Sequence, residues 1–371
     1  MEQRAGPLES LAVNPDFWRG KRVFLTGHTG FKGSWLALWL QDMGAIVTGF
    51  ALPPSSHPNL YTIAGVAEGL QASLVGDIRD SKALAQALDT ARPEIVFHLA
   101  AQALVRASYQ DPVNTYSTNV MGTVHVLEAV RQTPGVRAVV NVTTDKCYEN
   151  REWDWGYREN EAMGGYDPYS SSKGAAELVS AAYRNSYFPA QHYAQHGLAL
   201  ATARAGNVIG GGDWAQDRLI PDIVAAFSQN RAAEIRNPLA IRPWQHVLEP
   251  LRGYLMLAQS LCEVGPAFAE AWNFGPRDHD AQTVGSIAST MAQQWGGNAC
   301  WSQDEGEHPH EAQYLKLDIS KARNRLKWEP KLTLQHALQL VIEWYKHQQS
   351  GSDMKAITTT QIRAYQHLVA S

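Results

Sequence analysis

Short apolar runs alternate through the first half of the chain with segments whose apolar residues recur at helical spacing. The run KRVFLT at 21–26 enters a glycine cluster, and KGSWLALWLQDM at 32–43 follows at the helical period, so strand, tight turn and helix are predicted in that order. Further strands are predicted at 45–50, 72–75, 94–99, 138–143 and 199–204, with helices at 81–90 behind Asp80 as a cap, near 118–131, and at 169–183. Repetition of such units predicts an α/β fold, a doubly wound parallel sheet with helices on both faces. The strands are continuous apolar runs, as a sheet covered on both sides requires.

After residue 143 the pattern loosens. Residues 150–168 are rich in Trp, Gly, Asp and Glu, and a long loop near strand ends is expected to act as a lid or binding loop. From Gly210 onward (GGGDWAQDRLIPD) the segments are shorter and more mixed, as suits a smaller mixed α/β lobe closing over the carboxyl ends of the strands. The expected division is an N-terminal extension at 1–20, a dinucleotide-binding domain at 21–209, a mainly substrate-binding lobe at 210–350 from which some segments return to the first domain, and a polar tail at 351–371 able to form one last helix.

Composition narrows the classes of function. A chain of 371 residues, 44% of them hydrophobic, has room for a large core and a second lobe. Its 32 basic and 36 acidic residues leave a net charge of -4, without the basic excess of a protein that lives on nucleic acid or anionic lipid, so an anionic partner has to be met locally. No apolar run approaches the roughly 20 residues of a membrane span, and residues 1–20 lack a basic start followed by an apolar stretch, so the expected location is the cytoplasm. Cys147, Cys262 and Cys300 form no CxxC and no disulfide framework. The Asn141–Thr143 sequon falls in a predicted buried strand and reads as a chance match, and twelve scattered tryptophans read as packing. His308 and His310, set among acids in EGEHPHE, read as a polar loop, and no metal is expected.

Two constellations carry chemistry. Gly27, Gly30 and Gly33 follow the first strand and open the first helix in the spacing GxxGxxG, where backbone N–H groups and the helix dipole can meet a pyrophosphate. Taken with the βα succession, the turn makes the sheet a Rossmann-type one. Tyr169 and Lys173 stand four residues apart on one helix face, where a neighbouring cation can lower a phenol from its ordinary value of about 10 and make it a base. Thr143-Thr144-Asp145-Lys146 ends a core strand, and strand carboxyl ends are where such sheets bind ligands.

The chain resembles the extended short-chain dehydrogenase/reductase family, and within it the sugar-nucleotide 4,6-dehydratases. TGHTGFKG, Gly76-Asp77-Ile78, His98-Leu99-Ala100-Ala101-Gln102, Thr118-Asn119, TTDKCY, PYSSSK, Arg204-Ala-Gly-Asn207 and Ile241-Arg242-Pro-Trp244 match in order over roughly 20–335. Relatives acting on dTDP- or GDP-sugars usually carry Asp-Glu where this chain has Asp145-Lys146, a departure that points to the CDP branch. For the cofactor, the resemblance implies NAD held by Gly27, Gly30, Phe31 and Gly33 at the pyrophosphate, by Asp77 and Ile78 at the adenine, and by Leu99, Ala100, Ala101, Asn119, Tyr169 and Lys173 around the nicotinamide ribose. The stretch FALPPSS at 50–56 has no acidic residue to meet an adenosine 2′-hydroxyl, so NAD rather than NADP rests on the resemblance. For a CDP-linked glucose, it implies Gln102, Thr144, Arg204 and Asn207 along the sugar, and Arg218, Leu219 and Arg242 toward the nucleotide phosphates.

The chemistry implied is an internal redox cycle in which Tyr169 and Thr144 act at the 4-hydroxyl, while Asp145 and Lys146 serve as acid and base for loss of the 6-hydroxyl as water. The reverse assignment of the pair is open, as is a charged Lys146 that stabilises the enolate. The rival readings are an epimerase or decarboxylase of the same fold, with no need of that pair, and a non-enzymatic NAD(P) sensor. A homodimer or homotetramer is expected, paired through the helices near 118–131 and 169–183.

Overall fold

The computed structural model describes residues 12–304, 306 and 314–370. The strands are β1 (Arg22–Thr26), β2 (Ile46–Ala51), β3 (Ala72–Val75), β4 (Ile95–His98), β5 (Ala138–Val142), β6 (Ala199–Ala205), β7 (Asn207–Ile209), β8 (Ala233–Ile235), β9 (Ile241–His246), β10 (Ala271–Phe274), β11 (Ala281–Thr283) and β12 (Trp301–Gln303). Seven of them form a sheet in the order β10-β6-β5-β4-β1-β2-β3, parallel at every pairing. The expected doubly wound α/β sheet is therefore present. The strand order reverses beside β1, and the crevice between the ends of β1 and β4 is the switch point where such sheets take ligands. Successive side chains along each strand enter opposite cores: Val23, Leu25, Ile95, Phe97 and Val140 pack on one face, and Phe24, Val96, Val139 and Leu200 on the other.

The helix Phe31–Asp42 is buried from Gly33 to Leu40 with no polar stripe, because the C-terminal helix Met354–Ala370 covers its outer side. Trp39 meets Tyr365 edge-on at 5.9 Å, and Arg363 pairs with Asp42 at 2.7 Å. Residues 351–371, read as a tail, thus contribute a packed helix over 354–370. The helix near 118–131 begins with a π-type turn, Ser117–Met121, before Gly122–Gln132. Smaller sheets, β11-β9-β7 and β12-β8, lie beyond residue 206, while β10 from the same half of the chain completes the main sheet.

The 150–168 loop has a small core of its own. Trp153, Tyr157 and Tyr148 stack in series at 5.6 and 5.2 Å, and Tyr157 bridges to Leu317. Many of the tryptophans read as packing are fully enclosed, among them Trp18, Trp35, Trp39, Trp272, Trp328 and Trp344. No helix among the described residues is long and apolar enough to cross a membrane.

The C-terminal helix is tied down through charge as well as apolar area. The Tyr365 hydroxyl donates to buried Glu249 at 2.5 Å and accepts from Arg252 Nε at 3.0 Å. Tyr365→Phe leaves both without this partner and is expected to cost about 1–3 kcal/mol. Urea unfolding should show a lower midpoint at unchanged slope.

Candidate active site

The glycine turn is built by close approach. Gly27 has φ +78°, a left-handed conformation, and a Cβ there would lie 2.7 Å from Ala100 N. At Gly33 a Cβ would come 2.0 Å from Gly27 O, so the helix Phe31–Asp42 starts directly against the turn. Gly30 is its N-cap and has no capping side chain, which leaves the first-turn N–H groups facing the crevice. Across the crevice, Leu99 N and Ala100 N both donate to Thr26 Oγ1 at 3.2 Å, fixing the end of β4 against β1. A cradle that only backbone can line fits an extended diphosphate such as that of a dinucleotide. Asn119 holds the next segment, accepting from Gln102 N at 2.9 Å and donating to Gln102 O and Ser172 Oγ at 2.9 and 2.8 Å.

Tyr169 and Lys173 come from the helix Pro168–Ser186, capped by Asp167. Lys173 Nζ donates to Val142 O at 3.2 Å, placing the ammonium under the end of β5. Burial pushes Lys173 down to about 8, with Glu177 the strongest opposing influence. Tyr169 differs from expectation. Burial pushes its phenol up to about 12 in the chain alone, outweighing a hydrogen bond with Thr144 and the cation Arg218 that act the other way.

At the end of β5, Thr144 caps a short turn, Asp145–Cys147, and its hydroxyl donates to Asp145 Oδ1 at 3.0 Å. Burial raises Asp145 above the usual carboxylate range, against Lys146, the Thr144 hydrogen bond, Lys32 and Arg242. A Cβ at Gly206 would stand 3.1 Å from Asp145 Oδ2, so the bare backbone between Arg204 and Asn207 makes room for this carboxyl.

The other expected residues fall into two groups. Arg218, immediately before Leu219 at the start of the helix Leu219–Ser228, pairs with Asp213 at 2.8 Å and acts on Tyr169, while Arg242 on β9 acts on Asp145; both therefore reach the site. Asn207 opens β7 beside β9, and the Phe31 ring lies against Gly210. Arg204, expected along the sugar, is buried. Its side chain is 4% exposed and pairs with Glu177 at 2.8 Å, because an unpaired guanidinium at that depth would be costly. Gln102 turns its amide to Leu104 O and Thr115 Oγ1. Ile78 is buried beneath Gly122, and Asp77 is engaged by Arg79. His308 and His310 lie outside the described residues, as do residues 1–11 of the N-terminal extension.

Two residues were missed. Lys32, inside the glycine motif, is driven down to about 8 by burial and by the cations Arg218 and Lys173, with Asp145 and Asp213 opposing. Glu177 stands four residues beyond Lys173, a spacing that could have drawn attention to it.

A family model described as GDP-mannose 4,6 dehydratase matches residues 24–341, and the chain belongs to that family. It is 58% identical over 353 residues to CDP-glucose 4,6-dehydratase of Salmonella typhimurium, covering 95% of this chain and 98% of that one. The resemblance drawn from the motifs is thereby borne out. Among solved structures, an epimerase from Methanothermobacter thermautotrophicus superposes with TM-score 0.78 at 22% identity, over 93% of this chain and 97% of that one. A dTDP-glucose 4,6-dehydratase from Bacillus anthracis in complex with NAD gives 0.72 at 21%, over 91% and 100%. These two likenesses speak for the fold.

Since a Cβ at Gly33 meets a carbonyl oxygen, Gly33→Ala is expected to destabilise the chain by about 1–3 kcal/mol. Thermal unfolding without ligand checks this, and an unchanged Tm would contradict the close approach.

Proposed function

We propose that the chain catalyses dehydration of CDP-glucose to CDP-4-dehydro-6-deoxy-D-glucose and water, as a hydro-lyase that uses NAD catalytically. The observation that carries the reading is the meeting of Tyr169 and Lys173 with Thr144, Asp145 and Lys146 at the strand ends, across from the glycine turn. The 58% identity to the Salmonella enzyme of that activity supports the choice of CDP-glucose. Gly27, Gly30, Phe31 and Gly33 would hold the dinucleotide pyrophosphate, with Asp77 and Ile78 toward its adenine. Leu99, Ala100, Ala101 and Asn119 would flank its nicotinamide ribose, which Lys173 would hold. When bound there, the dinucleotide would supply reversible hydride transfer, from C4 and back to C6, so that nothing is oxidised overall.

Tyr169 takes the proton of the 4-hydroxyl while Thr144 hydrogen-bonds the same oxygen. With its phenol pushed up to about 12 in the chain alone, Tyr169 becomes a base only as positive charge enters beside it. The 4-ketone makes the C5 hydrogen acidic, and Lys146 removes it. Asp145, kept protonated more readily by its burial, gives its proton to the departing 6-hydroxyl. Lys146 then returns a proton to C5, and the proton gained by Tyr169 balances the one Asp145 gave. Arg218 and Arg242 hold the nucleotide diphosphate, with Gln102, Leu219, Arg204 and Asn207 assigned to the substrate side; Arg204 acts from beneath, through its partners.

Purified protein given CDP-, dTDP-, UDP- and GDP-hexoses should remove one water from CDP-glucose without net NADH. Unchanged mass with a rearranged sugar would make it an epimerase instead. Tyr169→Phe should lower kcat by about 10²–10⁴-fold. Lys146→Ala should still oxidise C4 in a single turnover but neither exchange C5 with solvent deuterium nor eliminate; normal elimination in that variant removes Lys146 from the mechanism.

The reading includes a homodimer or homotetramer. Val113, Met121 and Leu178 are 77%, 47% and 61% exposed around the helices expected to pair subunits, an apolar face that association would cover. Light scattering showing monomer alone at micromolar concentration overturns it.

A further inference from the structure

Tyr169, Lys173 and Glu177 recur at intervals of four on the helix Pro168–Ser186. The first two serve the reacting centre, and the third lies beneath it at 4% exposure. One Glu177 oxygen accepts from Thr143 Oγ1 at 2.5 Å, and the other from Thr202 Oγ1 at 2.7 Å and Arg204 Nη2 at 2.8 Å. Arg204 Nη1 continues to the Tyr148 hydroxyl at 2.7 Å, its guanidinium lies 4.9 Å from the Tyr148 ring centre, and that hydroxyl donates to Asn273 at 2.7 Å. Thr143 immediately precedes Thr144, and Tyr148 immediately follows the Asp145–Cys147 turn. A single buried ion pair therefore grips the acid–base segment from both ends. Buried pairs of this kind add little stability over apolar replacements, so stability alone does not account for its position.

We infer that Glu177 is a positioning residue: it locks the segment carrying Thr144, Asp145 and Lys146 to the helix face carrying Tyr169 and Lys173, and it is the counter-charge that keeps Lys173 an ammonium. The inference rests on the dehydratase reading for the roles of those residues. Lys173 is faced by Glu177 from its own helix, by Cys147 from the turn, by Lys32 from the helix Phe31–Asp42 and by His98 from β4. His98 is held neutral by burial, which pushes it down to about 3. Burial would raise Glu177 too, but Arg204 and the hydroxyls of Thr143 and Thr202 outweigh it and hold the carboxyl ionised. Neutralising Glu177 removes the strongest support for the Lys173 charge, so Lys173 loses its proton below pH 8. Lys32 titrates nearby but moves the other way, since loss of the Lys173 charge relieves it.

The test is NAD affinity of the full chain by calorimetry from pH 6 to 10, for wild type, Glu177→Gln and Glu177→Asp. Glu177→Gln should bind within a few-fold of wild type at pH 6 and show an alkaline midpoint lower by about one pH unit, with affinity about fivefold weaker than wild type at pH 8 and approaching tenfold at pH 10 for such a shift. Glu177→Asp should restore the wild-type midpoint. With CDP-glucose, Glu177→Gln should lower kcat more than it raises KM. A folded Glu177→Gln with the wild-type midpoint overturns the inference. Should that variant not fold, Glu177→Gln with Arg204→Met discharges both partners; the lower midpoint is expected there too, and a wild-type midpoint overturns it equally. Failure of wild type to dehydrate CDP-glucose would sink the dehydratase reading and the positioning role with it, while a shifted NAD midpoint would show that the Glu177–Lys173 coupling survives on its own.

Discussion

Charge held out of water at the carboxyl ends of β5 and β6 is the constraint on which the rest of the structure depends. A lone ion at that depth costs several kcal/mol even after relaxation, so each has to find a counter-charge or a set of hydrogen bonds. Glu177 and Arg204 pair with one another, with Thr143, Thr202 and Tyr148 taking up further bonding capacity. Asp145 is opposed by Lys146, Lys32 and Arg242, and Lys173 by Glu177. Lys32, Lys173, Arg218 and Arg242 nevertheless outnumber the acids set among them, Asp145, Asp213 and Glu177. That local positive excess, in a chain of net charge -4, suits two anionic diphosphates.

The enclosing structure is assembled from distant parts of the chain. β10 pairs with β6, and the helix Leu248–Glu263 packs under the sheet through Leu251, Leu255 and Tyr254. The flap at 150–168 is pinned by Asn150 to Tyr314 O and by Asn273 to Tyr157 O. Asn273 thus holds the flap and, through Tyr148, the acid–base turn. The C-terminal helix shields the helix that starts at the glycine turn, so residues 354–370 support a cofactor cradle built near residue 30.

Much of this was legible beforehand. Each strand predicted in the first half of the chain is present within a residue or so, because strands covered on both faces leave an unmistakable apolar run. The glycine turn, the Tyr169–Lys173 pair and the Thr144-Asp145-Lys146 segment were found because their spacing is itself the functional requirement. For Arg204 the motif places a residue at a strand end without saying whether its side chain faces the cleft or, as here, pairs with Glu177 in the layer beneath. Glu177 continues the spacing of four from Tyr169 and Lys173, but neither that spacing nor the glycine motif around Lys32 tells a buried charge from a solvated one.

The sequence by itself determined the βα succession, the glycine spacing and the set of chemical groups available, since these depend on near neighbours and on backbone sterics. Only the tertiary structure decided which charges are enclosed and by what. Tyr169 is raised to about 12 while Lys173 and Lys32 fall to about 8, although all three lie in readable motifs. Desolvation is set by everything packed within several ångströms, and those atoms come from segments far apart along the chain.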